Sequence, residues 1–594
     1  MDNENNAPNN CQLSIVNYQS LLKKYWGYDD FRGIQKEIIE SIGAGKDTLG
    51  LMPTGGGKSI TFQVPALAHE GVCIVITPLI ALMKDQVSNL RRRGIQASAI
   101  YSGMKHDSIL MTLENAVFGG VKILYISPER ISTSLFLEKL RHMKVSFICV
   151  DEAHCISQWG YDFRPSYLSI ADIRKELPDT PVLALTATAT PEVIDDIQER
   201  LHFREKCVYK MSFARKNLAY VVRHTSNKTG QLIHILNHVL GSAIVYVRSR
   251  KRTKEYAELL NTSGISATFY HAGLDNQEKD QRQKAWQEDK VRVMVATNAF
   301  GMGIDKPDVR VVIHIDCPDC LEAYFQEAGR AGRDGKKSYA VLLYDNNDRS
   351  KLQRRVVDTF PDKDFIRQVY DQLAYFYQIG VGSGYNACFE FPLERFCRIY
   401  KHFPIPTVSA LNILTRAGYI DFKEEDDMQA RVMFSVERDD LYKLRGNEPQ
   451  EDAVIVALLR NYTGLFQGYQ YIDEGVIAEQ CGLTQPQVYM TLRALTQKHI
   501  LDFIPQKHIP FIRYTQRREE SERLVISKSI YDDLKIRFAE RIEKMLEYAN
   551  SGNICRSRML LRYFGETNTE DCGQCDVCLN EKRSWTPPES QDGQ

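Results

Sequence analysis

Between about Lys46 and Asp345, short apolar runs alternate with stretches of helical periodicity. The first group is DTLGLM (47–52), VCIVIT (72–77), KILYIS (122–127), SFICVD (146–151) and VLALTA (182–187). After about Phe203 the pattern restarts with AIVYVR (243–248), ATFYH (267–271), RVMVAT (292–297), VRVVIHID (309–316) and YAVLLYD (339–345). Uninterrupted apolar runs of this length suit strands buried on both faces of a parallel sheet, with helices outside. The pattern predicts an α/β architecture of two tandem domains, 14–206 and 207–349. Only the first half carries a glycine-rich loop, so the restart is not a sequence repeat.

Past about Ser350 the pattern changes. Residues 350–450 read as a helical, winged-helix-like connector, with helices followed by a strand at YIDF (419–422). Residues 451–530 read as a winged helix: a helix at 452–461, a second at 474–481, a turn at 482–484, then a helix capped by Thr484 and running to about Lys498. ILDFIP (500–505) and PFIRYT (510–515) are predicted to pair as a hairpin. Its span, 502–519, is basic and aromatic, suited to tracking a nucleic-acid backbone or wedging a duplex end, or else a plain wing with solvated charges. A helix from about Tyr531 sets Leu534, Phe538, Ile542 and Met545 on one face, a core stripe that opens a last module, 531–583. Residues 584–594 read as a disordered tail.

Composition narrows the setting. The chain has 594 residues, 43% hydrophobic and 26% charged, enough for several buried cores in a globular chain. Its 76 basic and 76 acidic residues balance, so any nucleic-acid surface is a local patch. No apolar run approaches the roughly 20 residues of a membrane helix, and no membrane partner is expected. The polar N-terminus MDNENNAPNN resembles neither a signal nor a transit peptide. Of 14 cysteines, singletons such as Cys73 and Cys149 sit in apolar runs and read as reduced core residues. A cytoplasmic setting is expected.

MPTGGGKS (52–59) follows a predicted strand and precedes a helix. Such a loop turns backbone N–H groups toward phosphate oxygens, with Lys58 reaching the terminal phosphates and the Ser59 hydroxyl placed to ligate Mg²⁺. Met52 stands where the strict phosphate-loop pattern has its first glycine, so a glycine-rich turn without nucleotide is the competing reading. DEAH (151–154) ends a buried strand, placing Asp151 to hold Mg²⁺ and Glu152 to orient or deprotonate the attacking water. In WGYDDFRGIQKEII (26–39), the Gln35 amide has the donor and acceptor that an adenine edge needs. In QEAGRAGRDG (326–335), Arg330 and Arg333 are the cations that hydrolysis requires on the γ-phosphate; the bland alternative is a surface helix of arginines. The run Arg91-Arg92-Arg93 is a phosphate contact or a solvated helix end.

FRGIQ (31–35), MPTGGGKS, TPLIALMKDQ (77–86), ISPER (126–130), DEAH, ALTATA (184–189), ATNAFGMGIDKPDVR (296–310) and YFQEAGRAGRDG (324–335) stand in helicase superfamily 2 order. With CISQWGYDFRPSY (155–167) directly after DEAH, the chain resembles the RecQ family of DNA helicases over about residues 14–345 and again in its final cysteine module. The resemblance implies two RecA-like motor domains and an ATP-driven 3′–5′ motor that separates duplexes in repair, recombination and replication maintenance. It implies that Tyr28, Arg32 and Gln35 hold adenine. Thr54, Gly55, Gly57, Lys58 and Ser59 would hold the phosphates, Gln326, Arg330 and Arg333 would complete the catalytic set, and Gly303 and Asp305 would lie in the second domain's nucleotide segment. Trp159, Phe163 and Arg164 would couple single-stranded DNA to hydrolysis, as aromatics stack on bases without sequence preference; core packing is the alternative for Trp159 and Phe163. TATA (186–189) would link the two clefts. Single-stranded and branched DNA, and repair proteins such as single-strand-binding protein, are the implied partners. An RNA helicase, and a winged-helix DNA binder with a degenerate motor, are the alternatives.

Cys555, Cys572, Cys575 and Cys578 form C-x16-C-x2-C-x2-C, a set suited to a closed tetrahedral Zn²⁺ site. A redox pair is the alternative that four ligands and the lack of a thioredoxin-like context argue against, and an iron–sulfur cluster is one that spacing leaves open; the resemblance favours zinc. Cys317 and Cys320, like Cys388 and Cys397, read as incidental. In the family as usually found, the zinc module follows the motor directly. Here about two hundred residues intervene, which leaves open whether the module braces the motor or the winged helix.

Overall fold

The computed structural model describes residues 17–584 apart from 54, 102–103, 105, 302–305, 424–429, 438–440, 442–447, 467, 506–509 and 568–569. Two compact units share the chain. One comprises the residues up to Gln353 together with those from Arg537 onward; the other is Arg354–Ile536.

The first unit holds the two predicted parallel sheets. Strands β1 (Thr48–Leu51), β2 (Val72–Ile76), β3 (Ala97–Ile100), β4 (Ile123–Ile126), β5 (Val145–Val150), β6 (Val182–Thr186) and β7 (Val208–Lys210) assemble in the order β3-β4-β2-β5-β6-β1-β7. Every pairing is parallel. All residues of β1, β2, β4 and β6 are buried, as strands covered on both faces must be. The second sheet is built from β8 (Leu218–His224), β9 (Ser242–Tyr246), β10 (Ala267–Tyr270), β11 (Val293–Ala296), β12 (Val309–His314) and β13 (Ser338–Tyr344), in the order β10-β11-β9-β12-β13-β8. It too is parallel throughout.

Asp47, just before β1, ties the first domain together. Its buried carboxylate receives the Arg174 guanidinium at 2.7 Å, Arg204 Nε at 3.1 Å, and the Val182 and Arg204 backbone N–H groups at 2.9 and 2.8 Å. Burial works to raise this carboxyl's pKa, but those donors outweigh it and hold it below the usual value. The stability it confers is therefore present above the ordinary carboxylate pKa and lost as pH falls through the depressed one. Asp47→Ala leaves Arg174 buried without its counter-ion. We expect a loss of about 3–5 kcal/mol, read as a lowered denaturation midpoint.

The second unit corrects one expectation from the sequence. The predicted hairpin of 500–505 with 510–515 does not form; its two strands belong to different sheets. Strands β14 (Cys388–Glu390), β15 (Ile420–Lys423) and β19 (Phe511–Tyr514) make one antiparallel sheet, ordered β14-β19-β15. Strands β16 (Arg431–Phe434), β17 (Gln470–Tyr471) and β18 (Leu501–Ile504) make another, ordered β17-β16-β18. Burial explains the separation. Leu501 and Phe503 complete a core with Val432, Phe434, Val454, Leu458, Val488 and Leu492. Ile512 and Tyr514 are buried beside other partners: Ile512 pairs with Phe389 and Phe422, and the Tyr514 ring lies near that of Tyr370. A winged-helix domain over about 431–505 is thus inserted between β15 and β19, the two arms of the wing of an outer winged helix. Within the inserted domain the expected helices stand at Pro449–Asn461, Glu474–Cys481 and Gln485–Gln497. Thr484 caps the last in a reciprocal box with Gln487.

The chain then enters the long helix Asp532–Asn550, on which Ile542, Met545, Leu546, Tyr548 and Ala549 are buried. Ser584, expected to open the disordered tail, instead ends the helix Asp576–Ser584, and the rest of the expected tail, 585–594, lies outside the described residues.

Candidate ATP cleft, aromatic loop and cysteine cluster

Where β1 ends, Gly55 and Gly57 take φ of +83° and +79°, a region that side chains avoid. Gly57 caps the helix Lys58–Ala68. This sets Lys58 and Ser59 at a helix N-terminus, where backbone N–H groups and the helix dipole favour phosphate. A Cβ on Gly57 would fall 2.3 Å from the Gln35 amide nitrogen, so glycine also makes room for that side chain. Gln35 accepts from the Arg32 N–H at 2.9 Å and donates to the Gly57 carbonyl at 3.0 Å, buttressing the loop. The Arg32 guanidinium lies over the half-exposed Tyr28 ring, 5.1 Å from its centre.

Asp151 and Glu152 leave the end of β5. Glu152 has left-handed backbone angles, φ 49° and ψ 47°, a strain that costs on the order of 1–3 kcal/mol and that functional sites retain. Its Oε1 lies 3.5 Å from Lys58 Nζ. Burial drives the Asp151 carboxyl upward and the neighbouring Glu152 charge adds to it. Burial acts on Glu152 as well, but Lys58, His154 and Arg330 outweigh it and hold Glu152 low. Of the two, Glu152 is the one whose charge its surroundings favour more strongly. Its Oε2 and Arg330 Nε are buried with no hydrogen-bond partner among the described residues. Acceptor and donor capacity of this kind suits a metal-bound phosphate with its water.

The second domain closes the other side. Arg330 is 4% exposed, and its guanidinium donates to the Gly301 carbonyl. Arg333 reaches the phosphate loop: a Cβ on Gly55 would meet its Cγ at 3.3 Å. Tyr28, Arg32, Gln35, Gly55, Gly57, Lys58, Ser59, Asp151, Glu152, Gln326, Arg330 and Arg333 all line one cavity of about 600 Å³. Arg92 lines it too, while Arg91 and Arg93 donate to the carbonyls of Ala97 and Tyr25. Thr54, Gly303 and Asp305 lie outside the described residues.

The aromatic loop begins one turn past Glu152. It is closed at its base by the Arg164 N–H on the Cys155 carbonyl at 2.9 Å. Gly160 passes so near the His154 carbonyl that a Cβ would stand 2.6 Å from it. Trp159 is 43% exposed, which rules out plain core packing for it; Phe163 is half-buried. Arg164 forks onto Asp162 at 3.1 and 3.2 Å. None of these three lines the ATP cavity; Arg164 borders a second cavity of about 610 Å³ with Tyr161 and Asp162. Tyr161, which the motif reading passed over, makes the bridge: its hydroxyl donates to Gln326 Oε1 at 2.5 Å, and its ring stacks on His154, centroids 5.0 Å apart. His154 Nδ1 in turn lies 2.9 Å from Thr186 Oγ1 of the TATA segment.

The sulfurs of Cys555, Cys572, Cys575 and Cys578 all lie within 4.8 Å of one another, with Cys575 3.9 Å from Cys555 and 3.4 Å from Cys578. Four thiolates about 2.3 Å from one ion in tetrahedral array stand roughly 3.8 Å apart, so the cluster fits zinc. The module packs on the motor. Phe564 lies between Phe213 and Phe325, Tyr548 against Tyr324, and Gln574 donates to the carbonyls of Lys216 and Leu218. Cys317 and Cys320 are buried beside the second cavity, away from this cluster.

Comparison with known proteins agrees with this geometry. Residues 32–197 match the DEAD/DEAH box helicase family and 227–335 the helicase conserved C-terminal domain. Residues 432–505 match a RecQ helicase winged-helix domain of Bacteroidota, the inserted domain described above, and 518–579 match the RecQ zinc-binding family. The ATP-dependent DNA helicase RecQ of Bacillus subtilis is 46% identical over 333 residues, 56% of this chain and 56% of that protein. That of Pasteurella multocida is 43% identical over 339 residues, 57% of this chain and 54% of the relative. The chain thus spans just over half the length of these relatives. It is also 41% identical to the probable ATP-dependent DNA helicase RecS of B. subtilis over 348 residues, 58% of this chain and 70% of the other. The chain belongs to the RecQ helicase family.

Proposed function

We propose that this protein is an ATP-dependent DNA helicase that moves 3′ to 5′ along single-stranded DNA and separates duplexes in repair, recombination and replication maintenance. One observation carries the reading: twelve side chains and loop glycines drawn from four separate motifs line a single cleft between two parallel-sheet domains. In that cleft Lys58 and the phosphate-loop backbone hold the β- and γ-phosphates, and Tyr28, Arg32 and Gln35 flank the base. Glu152 positions the attacking water, while Arg330 and Arg333 meet charge developing on the γ-phosphate. Mg²⁺, held by Ser59 and Asp151, would supply charge neutralisation across the phosphate oxygens. Zn²⁺ on the four cysteines would be structural. Single-stranded and branched DNA are the substrates, with repair proteins such as single-strand-binding protein as partners, in the cytoplasm and on the nucleoid if the source is bacterial. Among the described residues no helix is long and apolar enough to cross a membrane.

The reading is tested by ATP hydrolysis with and without single-stranded DNA, against Lys58→Ala, and by strand displacement on forked, 3′-tailed and 5′-tailed DNA with a matched RNA duplex. We expect stimulation by DNA, loss of at least ~10²-fold in Lys58→Ala, and displacement of the forked and 3′-tailed DNA but not of the 5′-tailed DNA or the RNA duplex. Turnover indifferent to DNA, or a preference for RNA, overturns it.

A further inference from the structure

The helix Asp532–Asn550 carries two arginines one turn apart, Arg537 and Arg541, and both engage Trp159. The Arg537 guanidinium carbon lies 3.3 Å from the centre of the indole ring. Arg541 donates to the Trp159 carbonyl and lies 3.6 Å from the buried Glu322, which also receives the Tyr563 hydroxyl at 2.9 Å. A planar guanidinium this close covers one face of an indole, and a nucleobase stacking there needs the same face. Two residues on, Tyr161 touches Gln326 and His154, and His154 Nδ1 lies 3.5 Å from Glu152. The segment 159–161 is therefore gripped at one end by a distant helix and meets the hydrolytic groups at the other.

We propose that Arg537 and Arg541 are positioning residues that latch the aromatic loop, with Arg537 competing with a base for the Trp159 ring. The inference rests on the reading of Trp159 as a DNA contact. It gives the helix after the winged-helix region a direct hold on the element that reports DNA to the ATP cleft. It also fixes a sign. An arginine that merely bound phosphate would weaken DNA activation when removed; a latch strengthens it.

The test is ATP hydrolysis by the full chain, titrated with an unstructured single-stranded oligodeoxynucleotide. Wild type, Arg537→Ala, Arg537→Lys, Trp159→Ala and the Arg537→Ala/Trp159→Ala double variant are compared, with melting temperature as the check on folding. Arg537→Ala is expected to lower the half-activating DNA concentration about fivefold, equivalent to ~1 kcal/mol. Arg537→Lys, which keeps the charge and loses the planar stack, is expected to shift it in the same direction, and carries the test should Arg537→Ala not fold. In the Trp159→Ala background Arg537→Ala is expected to make no difference. A half-activating concentration that rises or stays unmoved, or a shift that survives without Trp159, overturns the latch and leaves the helicase reading standing. A wild-type enzyme that DNA does not stimulate overturns both.

Discussion

Arg330→Ala is expected to lower DNA-stimulated ATP turnover by about 10³-fold or more while leaving nucleotide binding within a few fold. The loss is large because of where the charge sits. Arg330 comes from the second domain, is 4% exposed, and enters a cleft whose opposite wall carries Lys58 and Glu152. Its hydrogen bond to the Gly301 carbonyl fixes one nitrogen, while Nε has no partner among the described residues. A guanidinium so held is already desolvated and oriented, and needs no reorganisation as negative charge moves onto the transferred phosphoryl group. Lysine in its place supplies a point charge without the planar fork, so Arg330→Lys is expected to recover little. Steady-state phosphate release gives kcat, titration with a fluorescent nucleotide gives affinity, and a melting curve checks the fold. A kcat within tenfold of wild type would show that Arg330 is not the transition-state cation.

Cys575→Ser is expected to release zinc and to unfold the C-terminal module. In isolated zinc modules the metal contributes on the order of 10 kcal/mol to folding, far above the net stability of most domains. Cys575 is fully buried and its sulfur lies close to those of both Cys555 and Cys578, so serine at this position opens the centre of the cluster. The effect should spread to the motor. Lys210 donates to the Phe564 carbonyl at 2.6 Å, and Glu566 accepts from the Phe213 N–H at 2.8 Å. These contacts grip the segment joining the two parallel-sheet domains. Metal content per chain and the melting temperature should fall together, and DNA-stimulated hydrolysis with them. Full zinc content with unchanged melting would show that the four sulfurs do not hold a structural metal.

The sequence revealed chemistry in short motifs better than it revealed tertiary partners. The strands at the centres of both parallel sheets stood out as apolar runs because they are covered on both faces. The edge strand β7 did not, since Val208 and Lys210 are exposed and leave no such run. The hairpin expectation rested on the closeness of two β-rich runs in sequence, and the competition between two separate cores decided otherwise. Tyr161 was invisible as a bridge because Gln326 is 165 residues away. Arg537 was hidden in an ordinary amphipathic helix for the same reason. The docking of the cysteine module on the motor depends on Phe213, Phe325 and Tyr324, none of which carries a motif meaning beyond a core aromatic.

The nested arrangement of the two winged helices fixes an order of assembly. Lys423 pairs with Phe511, so about ninety residues must leave the ribosome before the outer sheet can close. If those residues stayed unstructured, closure would carry the entropy of a long loop. The inserted domain has its own hydrophobic core and brings its two ends together when it folds, turning the long loop into a short one. Synthesis from the N-terminus therefore completes the inner domain first, and the outer one waits for it. The inserted domain is in effect a detachable cassette, and a chain that spliced Lys423 to Phe511 through a tight turn should close its outer winged helix sooner.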